Sequence, residues 1–441
     1  MQVRFWGTRG SLATPGQTTL RYGGNTSCVE LRTDDGTLLI FDCGTGARAL
    51  GLSLLQSSAE SIKGAILLGH SHWDHIQGFP FFGPIFVPGN EFTIYAPSGG
   101  DKRLAEVLAG QMEYTYFPVS LDQLQAQIAF HDLVEDTFAV GEVAVRTQYL
   151  NHTALTLAYR ISVGGVDVVY ATDHEPHAAS LWHTDVGSGK RSIVHQGDQR
   201  HIDFLANADL VIHDAQYTEQ EYVQGKTGWG HSPVEYVVDV AAEANVKRLA
   251  LFHHDPTHND QDLDRLVARC QRRAEASGAD LAVFGASEGQ SVELRAGRRA
   301  ADSGQGPVEP ALAHRPRILI AEDDPQIRGV LADILGEDDY EIVVARDGQE
   351  ALALALGRTP DLVLLDLMMP IVDGREVCRA LRSEPRTRDV PVVVLTASSS
   401  DDDIVAGFEE GATDYITKPF APSMVRTRVR SWLLRTASAS G

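Results

Sequence analysis

The sequence predicts an α/β protein of two domains joined by a linker, and three observations support this. The first part of the chain opens with short apolar strands separated by turn signals and gains helices around 101–111, 233–246 and 260–277, which indicates sheets covered by helices. Residues 316–435 alternate short apolar strands with amphipathic helices, the pattern of a parallel sheet covered on both faces. Residues 297–315 are rich in Gly, Pro and Ala, as in a linker. We therefore expect domains at 1–296 and 316–435, with a linker at 297–315.

Length and composition agree with this division. A chain of 441 residues is too long for one ordinary hydrophobic core. The longest apolar runs, such as VPVVVL, fall far below the roughly 18 residues that span a bilayer, so we expect no membrane segment. The four cysteines show no CxxC spacing, which favours a reducing cytoplasm over a disulfide framework.

The net charge narrows the class of partner. The chain carries 38 basic and 60 acidic residues, a formal net charge of −22. Binding to nucleic acid across an open surface usually requires a basic face, so this balance argues against a large nucleic-acid footprint. Bound metal cations could still attract a small phosphate ligand locally.

Residues 70–75, HSHWDH, are the densest group of metal ligands in the chain. They follow the apolar strand GAILLG, and in an extended segment His70 and His72 point to the same side. Asp74 and His75 fall on the following turn and face a second position. Imidazole and carboxylate suit zinc, manganese or iron better than magnesium or calcium. Histidines scattered on a solvated turn are the alternative, but this density favours a metal site.

The HxHxDH pattern resembles the signature of the metallo-β-lactamase fold superfamily, and the resemblance runs through most of residues 1–295. It implies an αββα sandwich with two metal ions. Later matches are QYLNHT, VVYATDHE and RLALFHHDP, and FDCGTG with Asp42 matches the segment that shapes the floor of the site. The resemblance implies metal one on His70, His72, His152 and Asp173, and metal two on Asp74, His75, Asp173 and His253.

Some of these positions have competing interpretations. Asp173 could be an ordinary turn aspartate, although its place after an apolar strand favours a bridging ligand. His253 and His254 compete for one role, and the register after the KRLAL strand favours His253. We expect His174 and His177 to line the pocket or lie on the surface.

The reaction is indicated by ADLVIHDAQY and GWGHSPVEY, which resemble the ribonuclease Z branch of the superfamily. In that branch an acidic residue orients a histidine that contacts the scissile phosphate, and the matching residues are Asp214 and His231. Aspartate stands where glutamate is usual, which shortens the reach of the carboxylate. His231 could also be a histidine at a helix start, with Ser232 as N-cap, and both roles can hold together.

The resemblance implies that Asp74, His231 and Asp214 carry the reaction. Two metal ions about 3.5–4 Å apart would activate a water for attack on phosphorus. His231 would neutralise developing charge or protonate the leaving oxygen, a general-acid role worth about 10²–10⁴-fold. No basic arm is found between 76 and 150, and the stretch 174–201, which looks like an insertion, is mixed in charge. A small phosphodiester, such as a cyclic nucleotide or short oligonucleotide, is therefore the expected substrate.

The second domain carries RILIAEDDPQIR, LVLLDLMMP, VVVLTASS and DYITKPF, which resemble the receiver domain of two-component response regulators. This implies a flavodoxin-like (βα)5 fold with its site at the carboxyl edge of the sheet. Asp366 would accept the phosphoryl group. Glu322 and Asp323 would hold Mg²⁺ beside it, since hard oxygen ligands suit that ion. The implied contacts to the phosphoryl group and the switch aromatic are Thr396, Lys418 and Tyr415.

Together these features predict a binuclear metal-dependent phosphodiesterase, most naturally a zinc enzyme with manganese or iron as alternatives. A histidine kinase or phosphotransfer protein would control it. Phosphorylation adds about −1.5 to −2 charges, which would change an oligomeric contact such as that of a homodimer. The alternatives are a ribonuclease Z-like RNA nuclease, a lactonase or thioester hydrolase, which would not need the Asp214–His231 pair, and a di-metal sensor without turnover. A receiver-like domain that is never phosphorylated is the alternative for the second domain.

Overall fold

A computed structural model describes residues 1–57, 61–97, 103–177, 183–184, 191–192, 196–295, 315–336, 338–396, 411–418, 420 and 422–439. The chain forms two compact units. Unit one contains Met1–Pro176 and His201–Val308, and unit two contains His177–Arg200 and Glu309–Gly441. The linker predicted at 297–315 lies outside the described residues except for Arg315, and most of 178–195 lies outside them too. The domain boundaries therefore stay a prediction.

The first sheet of unit one is half antiparallel and half parallel. Its strands are β1 (Gln2–Gly7), β2 (Cys28–Arg32), β3 (Leu38–Phe41), β4 (Lys63–Leu67), β5 (Glu91–Pro97), β6 (Gln127–Leu133) and β16 (Ser291–Glu293). They lie in the order β16-β1-β2-β3-β4-β5-β6. Pairing is antiparallel from β16 to β3 and parallel from β3 to β6. The carboxyl ends of its parallel strands therefore meet at one edge.

The second sheet repeats this arrangement. Its strands are β7 (Thr137–Val140), β8 (Val143–Tyr149), β9 (Leu157–Val163), β10 (Val166–Ala171), β13 (Leu210–Asp214), β14 (Arg248–Phe252) and β15 (Ala282–Gly285). The order is β15-β14-β13-β10-β9-β8-β7. Pairing is antiparallel from β7 to β10 and parallel from β10 to β15. A separate two-stranded sheet, β11 (His183–Thr184) and β12 (Arg191–Ser192), falls within the residue range of unit two.

Aromatic side chains fill the space between the two sheets. Phe41 of β3 stacks on Tyr170 of β10 with 4.9 Å between ring centroids. Phe5 of β1 lies 6.1 Å from Phe252 of β14. Because these rings are buried and come from both sheets, the sheets pack face to face.

The helices that precede the second unit's sheet are α1 (Ala47–Ser57), α2 (Trp73–Ile76), α3 (Leu104–Gln111), α4 (Gln196–Leu205), α5 (Glu219–Val223), α6 (Val234–Glu243) and α7 (Asp260–Ser277), with short 3₁₀ turns at Phe79–Phe81, Gly83–Phe86 and Leu121–Gln123. Helices α1 and α3 pack on the first sheet and α6 and α7 on the second, which completes an αββα sandwich. The three helices expected near 101–111, 233–246 and 260–277 are present, and α1 was not foreseen. One buried cluster packs α1 and the first two 3₁₀ turns against the first sheet, and α7 packs on α6 and β15.

Helix α7 shows why the sequence forms a helix at this place. The side chain of Asn259 accepts hydrogen bonds from the backbone N–H groups of Gln261 and Asp262, which caps the first turn. Gly278 ends the helix in a left-handed conformation with φ of 73°, which glycine adopts at little cost.

Unit two contains a doubly wound parallel sheet. Its strands are β17 (Arg317–Ala321), β18 (Glu341–Ala345), β19 (Leu362–Asp366), β20 (Val392–Thr396) and β21 (Asp414–Thr417), in the order β18-β17-β19-β20-β21. Its helices are α8 (Pro325–Gly336), α9 (Gly348–Gly357), α10 (Gly374–Ser383) and α11 (Pro422–Ala439). The helix expected after β20 would fall at 397–410, outside the described residues.

The strands of this sheet are apolar throughout because both faces are covered. Ile318 and Leu319 follow each other in β17 and belong to two different buried clusters, one on each face. This is the parallel sheet covered on both faces that the alternation of strands and helices predicted, in the flavodoxin-like arrangement that the resemblance to receiver domains implied. In the part of the chain that the structure describes, no helix combines the length and the apolar character needed to cross a membrane.

Candidate metal centre

The candidate site is assembled from loops at the carboxyl ends of neighbouring strands. HSHWDH follows β4 and leads into α2, Asp173 follows β10, and His253 comes directly after β14. Asp42, Asp173 and His253 have φ of 56°, 60° and 57°, a left-handed conformation that residues other than glycine adopt infrequently. The chain therefore bends sharply where each of these strands ends, and the side chains turn towards one another.

A first group of donors contains the three histidines His70, His72 and His152, whose ligand atoms all lie within 4.8 Å of one another. Nε2 of His152 is 3.2 Å from Nδ1 of His72. Nδ1 of His152 lies 2.8 Å from the carbonyl oxygen of Gly230, so Nδ1 carries the proton and donates it to this oxygen. Nε2 of His152 is then unprotonated and can ligate a metal ion. Both ring nitrogens of the buried His70 are without a hydrogen-bond partner among the described residues. A buried imidazole in that state is costly, and a metal ion would satisfy it.

A second group contains Asp74, His75, Asp173 and His253, also within 4.8 Å of one another. Nε2 of His75 is 3.1 Å from Oδ2 of Asp173 and 3.2 Å from Oδ2 of Asp74. Nε2 of His253 is 3.1 Å from Oδ2 of Asp74 and 3.5 Å from Oδ1 of Asp173. Oδ1 of Asp173 is also 3.9 Å from Nε2 of His152 in the first group. Asp173 therefore stands between the two groups, as the resemblance implied for a bridging ligand.

Asp42 supports the second group from behind. Its Oδ2 lies 2.7 Å from Nδ1 of His75 and accepts a hydrogen bond from the hydroxyl of Tyr170 at 2.5 Å. Its Oδ1 accepts from the backbone N–H of Gly69 at 2.7 Å. A carboxylate on the far nitrogen of a ligating histidine fixes the ring orientation, so the floor residue predicted from FDCGTG orients His75.

Burial keeps the first group uncharged. It lowers the pKa of His70 well below the ordinary value and lowers the pKa of His152 to about 3, while the pKa of His72 is lowered as well. Neutral imidazole is the form that binds a metal ion. The first group therefore stands in its ligating form at neutral pH.

The second group concentrates negative charge. Burial opposes charge on His75, but Asp74, Asp173 and Asp42 raise its pKa well above the ordinary value. Burial likewise opposes ionisation of Asp74 and Asp173, but His75 and His253 hold the pKa of both carboxyls well below the usual range. Ionised carboxylates buried with imidazoles fit a divalent transition metal, so both donor groups suit the metal class that the sequence predicted.

His231 and Asp214 lie beside the two donor groups. Nδ1 of His231 is 3.1 Å from Oδ2 of Asp214 and 3.6 Å from Oδ1 of Asp173, and its ring stacks on His253 at 5.0 Å. Asp214 ends β13 and is fully buried. Burial alone would lower the pKa of His231, but the carboxylate of Asp214 outweighs it and raises the pKa to about 9.

Three expectations about neighbouring residues need correction or gain detail. Ser232 is not an N-cap, because its hydroxyl donates to the carbonyl of His174 at 2.6 Å and the helix begins at Val234. His174 and His177 do not lie on the surface, since both are buried. His254 faces away from the donor groups, with its Nε2 2.9 Å from the carbonyl of Ala286.

A further cluster of buried histidines lies behind Asp214 and was not foreseen. The ring of His174 stacks on His201 at 4.2 Å, and Nε2 of His201 is 2.8 Å from Nε2 of His213. Nδ1 of His213 donates to the backbone carbonyl of Asp214 at 2.7 Å. These residues form no recognisable spacing in the sequence, so only the fold brings them together.

The predicted phosphorylation site of unit two gathers at the carboxyl edge of its sheet. The ligand atoms of Glu322, Asp323 and Asp366 lie within 4.8 Å of one another, as a Mg²⁺ site requires. Nζ of Lys418 is 2.5 Å from Oδ2 of Asp366 and 2.7 Å from Oε2 of Glu322. Burial raises the pKa of Glu322 to about 7, with Lys418 opposing and Asp366 reinforcing the shift.

The remaining predicted receiver residues are close by. Thr396 ends β20 and is buried, and its carbonyl accepts from the backbone N–H of Lys418 at 2.7 Å. Tyr415 lies in β21 and is half-buried against the core cluster on one face of the sheet.

Comparison with known families matches both parts of the chain. The family model of the beta-lactamase superfamily domain matches residues 37–254, and that of the response regulator receiver domain matches residues 318–430. These ranges contain the two predicted sites, from His70 to His253 in the first and from Glu322 to Lys418 in the second.

Individual proteins match one part or the other. The DNA-binding dual master transcriptional regulator RpaA of Synechocystis is 47% identical over 121 residues, which are 27% of this chain and 50% of that protein. The chain thus spans about half the length of the curated relatives it matches. The metallo-beta-lactamase fold protein YhfI of Bacillus subtilis is 19% identical, over 66% of this chain and 98% of that one, with a TM-score of 0.46. The short form of human tRNase Z is 21% identical, over 67% and 100%, with a TM-score of 0.45.

The two family matches agree with the two folds and with the motifs that each unit carries. The chain therefore joins a domain of the beta-lactamase superfamily to a response regulator receiver domain.

Proposed function

We propose that this protein is a binuclear metal-dependent phosphodiesterase whose activity is set by phosphorylation of its receiver domain. The observation that carries the proposal is the pair of Asp214 and His231, held beside two groups of metal-ligand side chains. The pair matches the one of the ribonuclease Z branch, in which an acidic residue orients a histidine that contacts the scissile phosphate. At that place His231 can give a proton to the leaving oxygen of a phosphodiester.

The residues that would hold the metal ions are the seven predicted ones. The first ion would take His70, His72 and His152, the second Asp74, His75 and His253, with Asp173 shared. Two divalent ions at these positions would supply an activated water and charge stabilisation. Zinc is the expected metal at both positions, with manganese or iron as alternatives. Asp42 orients His75, and the carbonyl of Gly230 orients His152.

Side chains of the protein would supply the proton that the leaving oxygen needs. Asp214 holds Nδ1 of His231, so Nε2 is left for the substrate. With a pKa of about 9, the ring is protonated at neutral pH and can give its Nε2 proton to the leaving oxygen. Asp214 acts through His231 and is a positioning residue.

The expected substrate is a small phosphodiester, such as a cyclic nucleotide or a short oligonucleotide. The net charge of −22 disfavours a long polyanion on the surface of the protein. Metal cations bound by the buried donor groups would attract a compact phosphate locally despite that charge.

The receiver domain would be phosphorylated on Asp366 by a histidine kinase or a phosphotransfer protein. Glu322 and Asp323 would hold Mg²⁺ beside Asp366, while Lys418 and Thr396 would contact the phosphoryl oxygens. Lys418 already binds the carboxylate of Asp366, so the phosphoryl group would find a cation in place. Tyr415 would respond to the added charge.

The experiment is hydrolysis of bis(p-nitrophenyl) phosphate and of dithymidine monophosphate by the metal-loaded full chain, beside the D74A and H231A variants, with metal content measured in parallel. We expect H231A to lose about 10²–10⁴-fold in kcat for dithymidine monophosphate, whose leaving alkoxide needs a proton, while it keeps two metal ions. D74A should lose both activity and metal. No hydrolysis by a wild type with two metal ions bound would contradict the proposal and favour a lactonase, a thioester hydrolase or a di-metal sensor.

A further inference from the structure

The loop 226–230, which we call the KTGWG loop, leads directly into His231. It contains a lysine, a tryptophan and two backbone N–H contacts that the proposed chemistry does not use. Its position beside His231 and its anchored backbone suit it to contact a bound substrate.

Glu175 anchors this loop from below. The side chain is 7% exposed, and its Oε1 accepts from the backbone N–H of Gly228 and from the hydroxyl of Tyr222, each at 2.6 Å. Its Oε2 accepts from the backbone N–H of Gly230 at 2.8 Å. Hydrogen bonds to a buried carboxylate are strong, so the backbone of the loop has one defined path.

The loop is also joined to the first donor group. The carbonyl of Gly230 accepts from Nδ1 of His152 at 2.8 Å. Gly228 and Gly230 have φ of 85° and 87°, and a Cβ on Gly230 would lie 2.2 Å from Nδ1 of His152. The loop cannot withdraw from His152 without losing this hydrogen bond, and glycine is required where the two meet.

On this fixed backbone the loop presents an aromatic ring. Trp229 is 55% exposed. Nζ of Lys226 lies 4.0 Å from the centroid of its ring and 5.3 Å from that of Tyr217. The ring of Tyr217 in turn meets the ring of His231 edge-on at 6.1 Å. A continuous series of contacts therefore leads from His231 through Tyr217 and Lys226 to Trp229.

Such a combination has a known use in binding nucleotides. Aromatic side chains that stack on a base contribute about 1–3 kcal/mol each, which corresponds to about 5- to 150-fold in affinity. The base can be of any kind because every base has a π face. A lysine beside the ring adds attraction for the phosphate and pairs with the face of the tryptophan. Single exposed apolar residues are common on protein surfaces, but this one stands on an anchored loop beside the site.

We propose that the KTGWG loop is a base-binding wall, in which Trp229 stacks on the nucleobase of the substrate and Lys226 contributes positive charge near its phosphate. The substrate class is then a nucleotide phosphodiester rather than a phosphodiester of simple alcohols. This inference rests on the proposed phosphodiesterase function and adds the residues that select the substrate.

Two measurements on the metal-loaded full chain test it. The first compares kcat/KM for thymidine 5′- and 3′-(p-nitrophenyl) phosphate with that for methyl p-nitrophenyl phosphate, in the wild type, W229A and W229F. The second measures binding of thymidine 5′-monophosphate and of ribose 5-phosphate by calorimetry in the same proteins. Y114A is the matched control, since Tyr114 is 88% exposed on the segment after α3.

We expect W229A to lower the nucleoside-to-methyl ratio of kcat/KM, and the preference for thymidine 5′-monophosphate over ribose 5-phosphate, by about 5- to 150-fold. W229F should keep most of both preferences, and Y114A should keep them entirely. The inference is overturned if the wild type shows no preference for the nucleotide, or if W229A weakens both ligands equally. If no ester is hydrolysed but the binding preference depends on Trp229, the proposed function fails and the base-binding wall stands.

Discussion

Asp214 gathers donors that fix both His231 and the backbone around it. Its Oδ2 lies 3.1 Å from Nδ1 of His231 and accepts from the backbone N–H groups of His174 and Ser232 at 3.2 and 3.3 Å. These three donors converge on one carboxylate oxygen and hold the ring of His231 and the two backbone segments in place. The pair therefore combines a rigid histidine with a counter-ion that keeps it protonated.

The pH dependence of the reaction follows from this pair. His231 must be protonated to act as an acid, and its pKa is raised to about 9, so we expect kcat of the wild type to fall as the pH rises through about 9. In D214N the counter-ion is lost, and we expect the fall to move to lower pH by about 1–3 units. Hydrolysis of dithymidine monophosphate, whose leaving alkoxide needs the proton, between pH 6 and 10 measures both profiles.

Metal content is the control for this comparison. Asp214 is not among the predicted ligands, so D214N should retain both metal ions while its profile shifts. The stability of the fold depends on pH in the same direction as kcat. The folded pKa of His231, about 9, exceeds the ordinary histidine value of about 6.5. The pair therefore stabilises the fold fully below about pH 6.5 and loses this effect as the pH rises through about 9. Identical pH profiles for D214N and the wild type would contradict the role given to the pair.

The site residues predicted from the sequence have a recognisable spacing or follow an apolar strand, and the residues that were not predicted have neither. His70, His72, Asp74 and His75 lie within six positions, and Asp173 follows an apolar strand, so spacing and strand pattern reveal them. Glu175 is bonded to backbone N–H groups 53 and 55 residues away, and a backbone donor leaves no trace in the sequence. The histidines behind Asp214 are likewise brought together only by the fold.

At the scale of elements, the site depends on loops that follow parallel strands. The apolar runs before HSHWDH and before His253 predicted strands, and the carboxyl ends of parallel strands meet at one edge. That argument could not extend to the KTGWG loop, because it follows a five-residue helix and is shaped by Glu175. Nor could it find α1, which packs on the outer face of the first sheet and carries no ligand.

Two glycines of the KTGWG loop allow a sharp test of its contact with His152. Gly228 and Gly230 have nearly equal φ, but a Cβ on Gly230 would meet His152, while one on Gly228 would have no heavy atom within 4 Å among the residues the structure describes. We expect G230A to lose the hydrogen bond that orients His152 and to bind metal about 10- to 100-fold more weakly. Competition with a chromophoric chelator measures the affinity.

G228A is the matched control for that variant. It carries a similar backbone penalty and keeps the N–H that donates to Glu175, so it should bind metal as the wild type does. Equal weakening in the two variants would mean that backbone strain alone is responsible. Unchanged affinity in G230A would mean that the carbonyl of Gly230 does not orient His152.

At the scale of the whole molecule, one chain carries two groups of donors that suit different cations. The donors of the beta-lactamase superfamily domain are mostly imidazoles, which suit transition metals, whereas Glu322, Asp323 and Asp366 offer only oxygen, which suits Mg²⁺. A chelator selective for transition metals should therefore stop hydrolysis while phosphorylation of Asp366 continues. The two activities can be measured independently in the same protein.

Because the two domains are joined in one chain, we predict that phosphorylation of the receiver domain changes the rate of hydrolysis at the metal centre. We expect acetyl phosphate with Mg²⁺ to phosphorylate Asp366 and to change the rate of phosphodiester hydrolysis by about 5- to 150-fold, the usual range of coupling between sites. D366N lacks the acceptor and should show a constant rate, and its fold should persist because amide and carboxylate are similar in size. Phosphate incorporation and hydrolysis are followed on the same samples.

Control by the receiver domain would be contradicted if the wild type incorporates phosphate and its rate of hydrolysis does not change. An equal change in D366N would instead show that acetyl phosphate acts directly at the metal centre.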